Sequence, residues 1–144
     1  MASPTTAITL VRMKVATIIA RILLGLMFVV FGSNAFLHFL PMPEMSGPAG
    51  DFIGSMAITG YLKVIAAFQI AGGALLFIGR YVPLGLTLLG PVIVNIILYH
   101  VFMDQSGLMM AAIVSAVSLF LLWRYHTAFL PLVGPGRSVS VNEL

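Results

Sequence analysis

The chain has 144 residues, 60% of them hydrophobic and only 8% charged, with a mean hydropathy of +1.12 and a formal net charge of +3. Soluble domains carry about 25% charged residues, so a chain this apolar uses lipid as part of its solvent. It has no cysteine, which excludes CxxC redox chemistry, thiolate-ligated clusters and covalently attached c-type haem.

The basic residues stand at the ends of apolar runs and form no patch, so nucleic acid is not a partner. Four spans of about 20 residues and their turns consume the chain, which predicts a single membrane domain over residues 1–144. The expected fold is all-α, an integral membrane four-helix bundle with a short interfacial helix between spans one and two.

Residues 1–11 read as a short polar-to-mixed tail. A first span is predicted over about residues 13–40. Its apolar run exceeds the 7–15 residues of a signal-peptide core, so it reads as a retained span. Residues 22–40 suffice to cross a hydrocarbon core of about 30 Å. Arg21 then lies at the inner interface, its guanidinium snorkelling towards headgroups. Pro41, Met42 and Pro43 are expected to stop the helix. Asp51 has the place of an N-cap, and Phe52, Ile53, Met56 and Ala57 share one face of a short helix in the outer interface.

The second span is predicted over residues 61–79, interrupted by Gln69 and by the pair Gly72-Gly73. Two adjacent missing side chains leave a groove that suits a close helix neighbour. The connection at Arg80-Tyr81 is so short that spans two and three are antiparallel neighbours. Span three covers about 82–103, with a kink expected at Pro91. Asp104, Gln105 and Ser106 form a turn, and span four covers about 107–123. Trp123 and Tyr125 suit its exit through the interface. The tail, 124–144, is predicted to be cytoplasmic, with its last ten residues disordered. Arg12, Lys14, Arg21, Arg80, Arg124 and Arg137 fall on one side of this arrangement. Glu44, Asp51 and Asp104 fall on the other, with Lys63 the basic exception. The positive-inside rule makes the basic side, and so both termini, cytoplasmic.

At about 1.5 Å per helical residue, several polar residues reach similar depths in the outer third. Asn34 lies about 20 Å above Arg21, Asn95 about 20 Å above Val82, and Gln69 about 16 Å above Arg80. His38, His100 and Lys63 reach about 25–27 Å. Asn34 and His38, four apart, share a helix face. His100 and Asp104 are also four apart, so the carboxylate is placed to accept an imidazole N–H.

Three readings of this layer stand side by side. Amides in membrane helices act as interhelix glue worth roughly 0.6 kcal/mol each. Alternatively, Asn34, His38, Gln69, Asn95 and His100 line a ligand pocket open to the outer leaflet. In the third reading His38 and His100 are the axial pair of a haem b, although rings this close to water suit haem poorly. A catalytic metal would want a third ligand, for which Asp104 is the sole candidate, so no metal site is assigned. There is no phosphate-cradling glycine loop, HExxH or GxSxG, and no catalytic residue is assigned.

Three stretches carry a resemblance: ARILLGLMFVVFGSNAFLHFLPMP, TGYLKVIAAFQIAGGALLFIGRYVPLGLTLL and NIILYHVFMD. On these, spread over roughly residues 20–125, the chain resembles the DoxX family of small four-span bacterial membrane proteins. The resemblance implies a four-helix bundle in the bacterial cytoplasmic membrane. The family's name-giving member is the small subunit of a thiosulfate:quinone oxidoreductase, which implies protein partners and a quinone link. The expected function is an accessory subunit of a quinone-linked redox complex with a quinone- or lipid-accessible pocket. The expected partners are membrane lipid and either a larger membrane complex or further copies of the chain. The rival readings are a structural or assembly subunit with no chemistry of its own and, last, a small-molecule or lipid carrier. Four spans without an inverted repeat are few for a carrier.

Overall fold

A computed structural model describes residues 4–41 and 44–133. Its elements are helical, with no strand among the described residues. Five helices carry the architecture: α1 (Pro4–Leu37), α2 (Gly47–Ile58), α3 (Tyr61–Ile78), α4 (Val82–Phe102) and α5 (Leu108–Arg124). Single 3-10 turns precede and follow α5, and a last short helix covers Leu130–Val133. Helices α1, α3, α4 and α5 are long and apolar enough to cross a membrane, and the chain is a multi-pass membrane protein.

The four spans form a ring. Helix α3 packs between α1 and α4, and α5 closes the ring against α4 and α1; α2 lies on α3. The core is a file of large side chains along the bundle axis, including Leu24 and Phe28 from α1, Leu76 from α3, Leu86 and Leu89 from α4, and Val114 and Leu121 from α5. The outward faces are equally apolar, with Leu23, Phe68, Leu98, Met109 and Leu119 exposed. In water such a surface would aggregate; in hydrocarbon it is solvated.

Glycine sets how closely the spans approach. A Cβ on Gly73 would fall 2.7 Å from the Gly25 carbonyl oxygen, and one on Gly25 would fall 2.6 Å from that of Gly73. A Cβ on Gly72 would instead meet the Leu89 side chain of α4 at 2.7 Å. The pair therefore faces two helices at once, Gly73 towards α1 and Gly72 towards α4.

Helix α1 departs from the expected span at both ends. It starts at Pro4 and spans 34 residues, about 51 Å at the helical rise, well beyond a hydrocarbon core of about 30 Å. Pro4 suits a first helical turn, and no glycine or proline interrupts the run up to Gly25. From Pro4 onward the expected tail is thus helix. At the other end α1 stops at Leu37, four residues before Pro41. Pro41 has no N–H for the Leu37 carbonyl four residues back and its ring would clash with it, so an end at Leu37 is what Pro41 requires. His38 takes the left-handed conformation (φ 52°), and the Asn34 side chain captures the backbone of Leu40. Met42 and Pro43 lie outside the described residues, as does the tail segment expected to be disordered.

Helix α2 begins at Gly47, with Ser46 at the N-cap position and a proline in its first turn. Asp51 is therefore inside the helix and exposed, which corrects its expected capping role; Pro48 suits the helix start because its missing N–H is not needed there. Spans two, three and four otherwise match expectation to within a residue or two. Gly79 (φ 82°) ends α3, and α4 runs through Pro91 as one helix.

Arg21 packs at the end of α3. Its guanidinium occupies the space where a Cβ of Gly79 would be, and its Nε is buried without a partner among the described residues. The cation sits against the C-terminal end of α3, where the unpaired carbonyls concentrate negative charge. The residue as a whole is half-buried at that end of the bundle. One turn earlier, Thr17 is buried and accepts a 3.0 Å hydrogen bond from Arg124 Nε, joining α1 to α5.

Candidate functional site

The predicted polar residues gather around the half of α3 nearest α2, but they do not share one cavity. A first cavity of about 400 Å³ lies among α1, α2 and α3, with Asn34, His38, Lys63 and Gln69 in its wall. A second of about 130 Å³ lies among α2, α3 and α4, with Gln69, Asn95, Tyr99 and His100. A third of about 330 Å³ lies between α3 and α4, with Tyr61, Thr87, Pro91 and Asn95. Gln69 lines the first and second, Asn95 the second and third, and Ile65 all three. Together they form a band around α3, roofed in part by Phe52, Ile53 and Met56 of α2.

The five predicted residues thus divide. Asn34 and His38 face the first cavity, Asn95 and His100 the second, and Gln69 stands between them. The separation follows from the ring, in which α1 and α4 are not a packed pair. Equal depth placed His38 and His100 together in the sequence reading, but they line different cavities, and the geometry for a shared haem is absent. Among the described residues no three His, Asp or Glu side chains gather to hold a metal.

Each polar group has a distinct local state. Asn34 is buried, and both ends of its amide are committed to Leu40: Oδ1 accepts the Leu40 N–H at 2.7 Å and Nδ2 donates to the Leu40 carbonyl at 3.3 Å. It closes the end of its own helix and is not glue between helices. Gln69 and Asn95 have no hydrogen-bond partner among the described residues. An amide inside hydrocarbon with nothing to bond is costly, so these two donors and acceptors are available to whatever enters the band.

His100 also differs from expectation. Its Nδ1 lies 2.8 Å from the Asp104 backbone carbonyl, not from the carboxylate. A carbonyl only accepts, so Nδ1 carries the proton and, in the neutral ring, Nε2 is the acceptor. The carboxylate of Asp104 is engaged elsewhere, accepting from the Ser106 hydroxyl at 2.9 Å and the Ser106 backbone N–H at 3.0 Å. Those two bonds, the hydroxyl first, hold the Asp104 carboxyl below the usual carboxylate range. The His100 ring packs against Gly107, where a Cβ would overlap it, and meets the Tyr99 ring edge-on at 5.1 Å.

Tyr99 is the member that sequence reasoning passed over. Its hydroxyl donates to Met45 Sδ at 3.1 Å, and its ring stacks on Phe52 at 6.2 Å, tying the α1–α2 connection and α2 itself to α4. The signal was present: Tyr99 stands four residues after Asn95, on the same face, and a tyrosine buried at one end seeks a partner for its hydroxyl. Lys63, noted in the sequence for its depth and as the basic exception on the acidic side, joins His38 at the wall of the first cavity.

The fold and the band of cavities define a class: a multi-pass α-helical membrane protein, built as a four-helix bundle, with a polar-lined band among α2, α3 and their neighbours. Comparison of the chain with protein-family models, with curated proteins and with solved structures finds no match.

Proposed function

We propose that the protein is a DoxX-like accessory subunit of a quinone-linked redox complex in the bacterial cytoplasmic membrane, with both termini cytoplasmic, and that the band around α3 receives the quinone ring. The observation that carries this reading is the pair of unpartnered amides, Gln69 and Asn95, on the wall of an apolar cleft. A quinone presents two carbonyl oxygens on a flat apolar ring. Each carbonyl needs a hydrogen-bond donor and the ring needs apolar walls, which Ile65, Val92 and Ile96 supply in the cavity that Gln69 and Asn95 share. The protonated Nδ1 of His100 is already spent on the Asp104 carbonyl, so the amides are the donors.

The test is titration of the purified protein with a short-chain benzoquinone. Gln69→Leu and Asn95→Leu should each weaken binding about tenfold, the value of one hydrogen bond of about 1.4 kcal/mol, with melting unchanged. Failure of the parent to bind, or equal binding by the variants, removes the reading. The orientation has its own check: a reporter fused after Leu144 should behave as cytoplasmic, and one inserted near Pro48 as external. The charge distribution supports this, since Glu44, Asp51 and Asp104 stand at one end of the bundle and Arg21, Arg80 and Arg124 at the other.

A further inference from the structure

At the basic end of the bundle, far from the band around α3, a groove of about 260 Å³ runs between α1 and α5, lined by Lys14, Thr17, Ile18, Arg124 and Tyr125. We propose that this groove binds the phosphate headgroup of an anionic phospholipid, independently of any quinone.

Four observations converge. The first is a positioned cation. The Arg124 Nε donates to Thr17 Oγ1 at 3.0 Å, and that hydroxyl in turn donates to the Met13 carbonyl at 2.7 Å. Thr17 is buried, so the guanidinium is anchored by one of its five donors and keeps four on its terminal nitrogens. The Arg124 guanidinium also lies 6.0 Å from the Trp123 ring centre, which braces it further.

The second is uncompensated charge. Lys14 brings a second cation to the same groove, and neither it nor Arg124 forms an ion pair among the described residues. The described acids, Glu44, Asp51 and Asp104, stand in the two connections and the helix at the opposite end of the spans. Two cations in one groove repel each other and favour an anion between them.

The third is what the groove continues into. Lys14, Ile18 and Ile22 follow at spacing i, i+4, i+8, a single stripe of α1. Phe120 stands one turn before Arg124 on α5. Ile18 and Ile22 are exposed and Phe120 half-buried. A cationic head over an apolar stripe running towards the membrane centre matches a phospholipid, with phosphate at one end and acyl chains along the other. Free phosphate would use the head alone.

The fourth is depth. Thr17 is level with Arg124, the last residue of α5, and basic pockets between helices at the end of a span, where lipid phosphates sit, suit anionic headgroups.

The single tryptophan, Trp123, stands next to Arg124 and supplies the readout. Protein in detergent is titrated with phosphatidylglycerol or phosphatidylcholine carrying brominated acyl chains, which quench a nearby indole. Phosphatidylglycerol should quench at lower concentration than phosphatidylcholine. The preference should weaken about fivefold in Lys14→Gln and again in Arg124→Gln, and should fall with added salt. Lys14→Gln is the safe variant, because Lys14 is exposed and bonds to nothing described; Thr17→Val tests the anchor and should cost part of the Arg124 effect. Inorganic phosphate in excess should not displace the brominated lipid. Equal quenching by the two lipids, an unchanged preference in Lys14→Gln together with insensitivity to salt, or displacement by inorganic phosphate would each overturn the proposal.

Discussion

Gly73→Ala and Gly25→Ala should each destabilise the bundle by on the order of 3 kcal/mol, the upper range for overpacking a tight interior. A single methyl group suffices. At Gly73 it would lie 2.7 Å from the Gly25 carbonyl oxygen, and at Gly25 it would lie 2.6 Å from the Gly73 carbonyl oxygen and 2.7 Å from the Phe77 nitrogen. Those neighbours are backbone, so no side-chain rotamer change makes room, and α1 must move away from α3 along the most extensive contact in the bundle. Gly90→Ala is the matched control. It lies in α4 with nothing within 4 Å of a new Cβ, and there the same change should stabilise by about 0.4–1 kcal/mol through the unfolded chain. Thermal unfolding in detergent reads both signs. If Gly73→Ala and Gly90→Ala melt together, the backbones of α1 and α3 are not in contact at this crossing.

The glycine pair also shows which information a sequence of this kind carries. Hydropathy marked the four spans, and counting residues gave each polar group a height along its helix. What counting does not give is the direction in which a residue points around the bundle. Gly72 and Gly73 are about 100° apart around a helix of 3.6 residues per turn, so they face different neighbours, α4 and α1. The same limit separated the polar layer. Asn34, His38, Asn95 and His100 all line cavities beside α3, but α1 and α4 are not packed together, and the layer became two cavities joined at Gln69. Azimuth is set by packing among nearly uniform apolar surfaces, and there the sequence pattern is weakest.

Helix ends were the other illegible part. Proline at position 41 bars the helix from passing Leu37, but the closure of that end by Asn34 bonding to Leu40 was not visible in the sequence. The Asp104 carboxylate was expected to hold His100, but it caps the turn at Ser106 instead, while the Asp104 carbonyl takes the imidazole. In both cases a short polar side chain chose a nearby backbone group over a partner across the bundle, which is the usual preference of Asn and Asp.

Asn34→Leu should accordingly be a stability variant and not a binding variant. The Asn34 side chain is 7% exposed, and its amide forms a two-bond bridge to the Leu40 N–H and carbonyl. Leucine has nearly the same bulk and can offer neither bond. The Leu40 backbone groups then face an apolar surrounding without partners, at about 1–3 kcal/mol for each group left buried. His38, held at φ 52°, loses the closure that keeps the chain in that conformation, at a further cost of about 1 kcal/mol or more. A loss of about 3 kcal/mol, seen as a lower melting temperature, should come with faster proteolysis between residues 38 and 46, where the connection to α2 is no longer pinned. Asn34→Asp keeps the acceptor for the Leu40 N–H but loses the donor, so it should fall between Leu and the parent. Gln69→Leu, whose amide has no partner to lose, should leave both readouts unchanged while weakening quinone binding. The opposite pattern at position 34, an unchanged melt with lost quinone affinity, would mean that the Asn34 amide serves the ligand and that its bonds to Leu40 do not hold the end of α1.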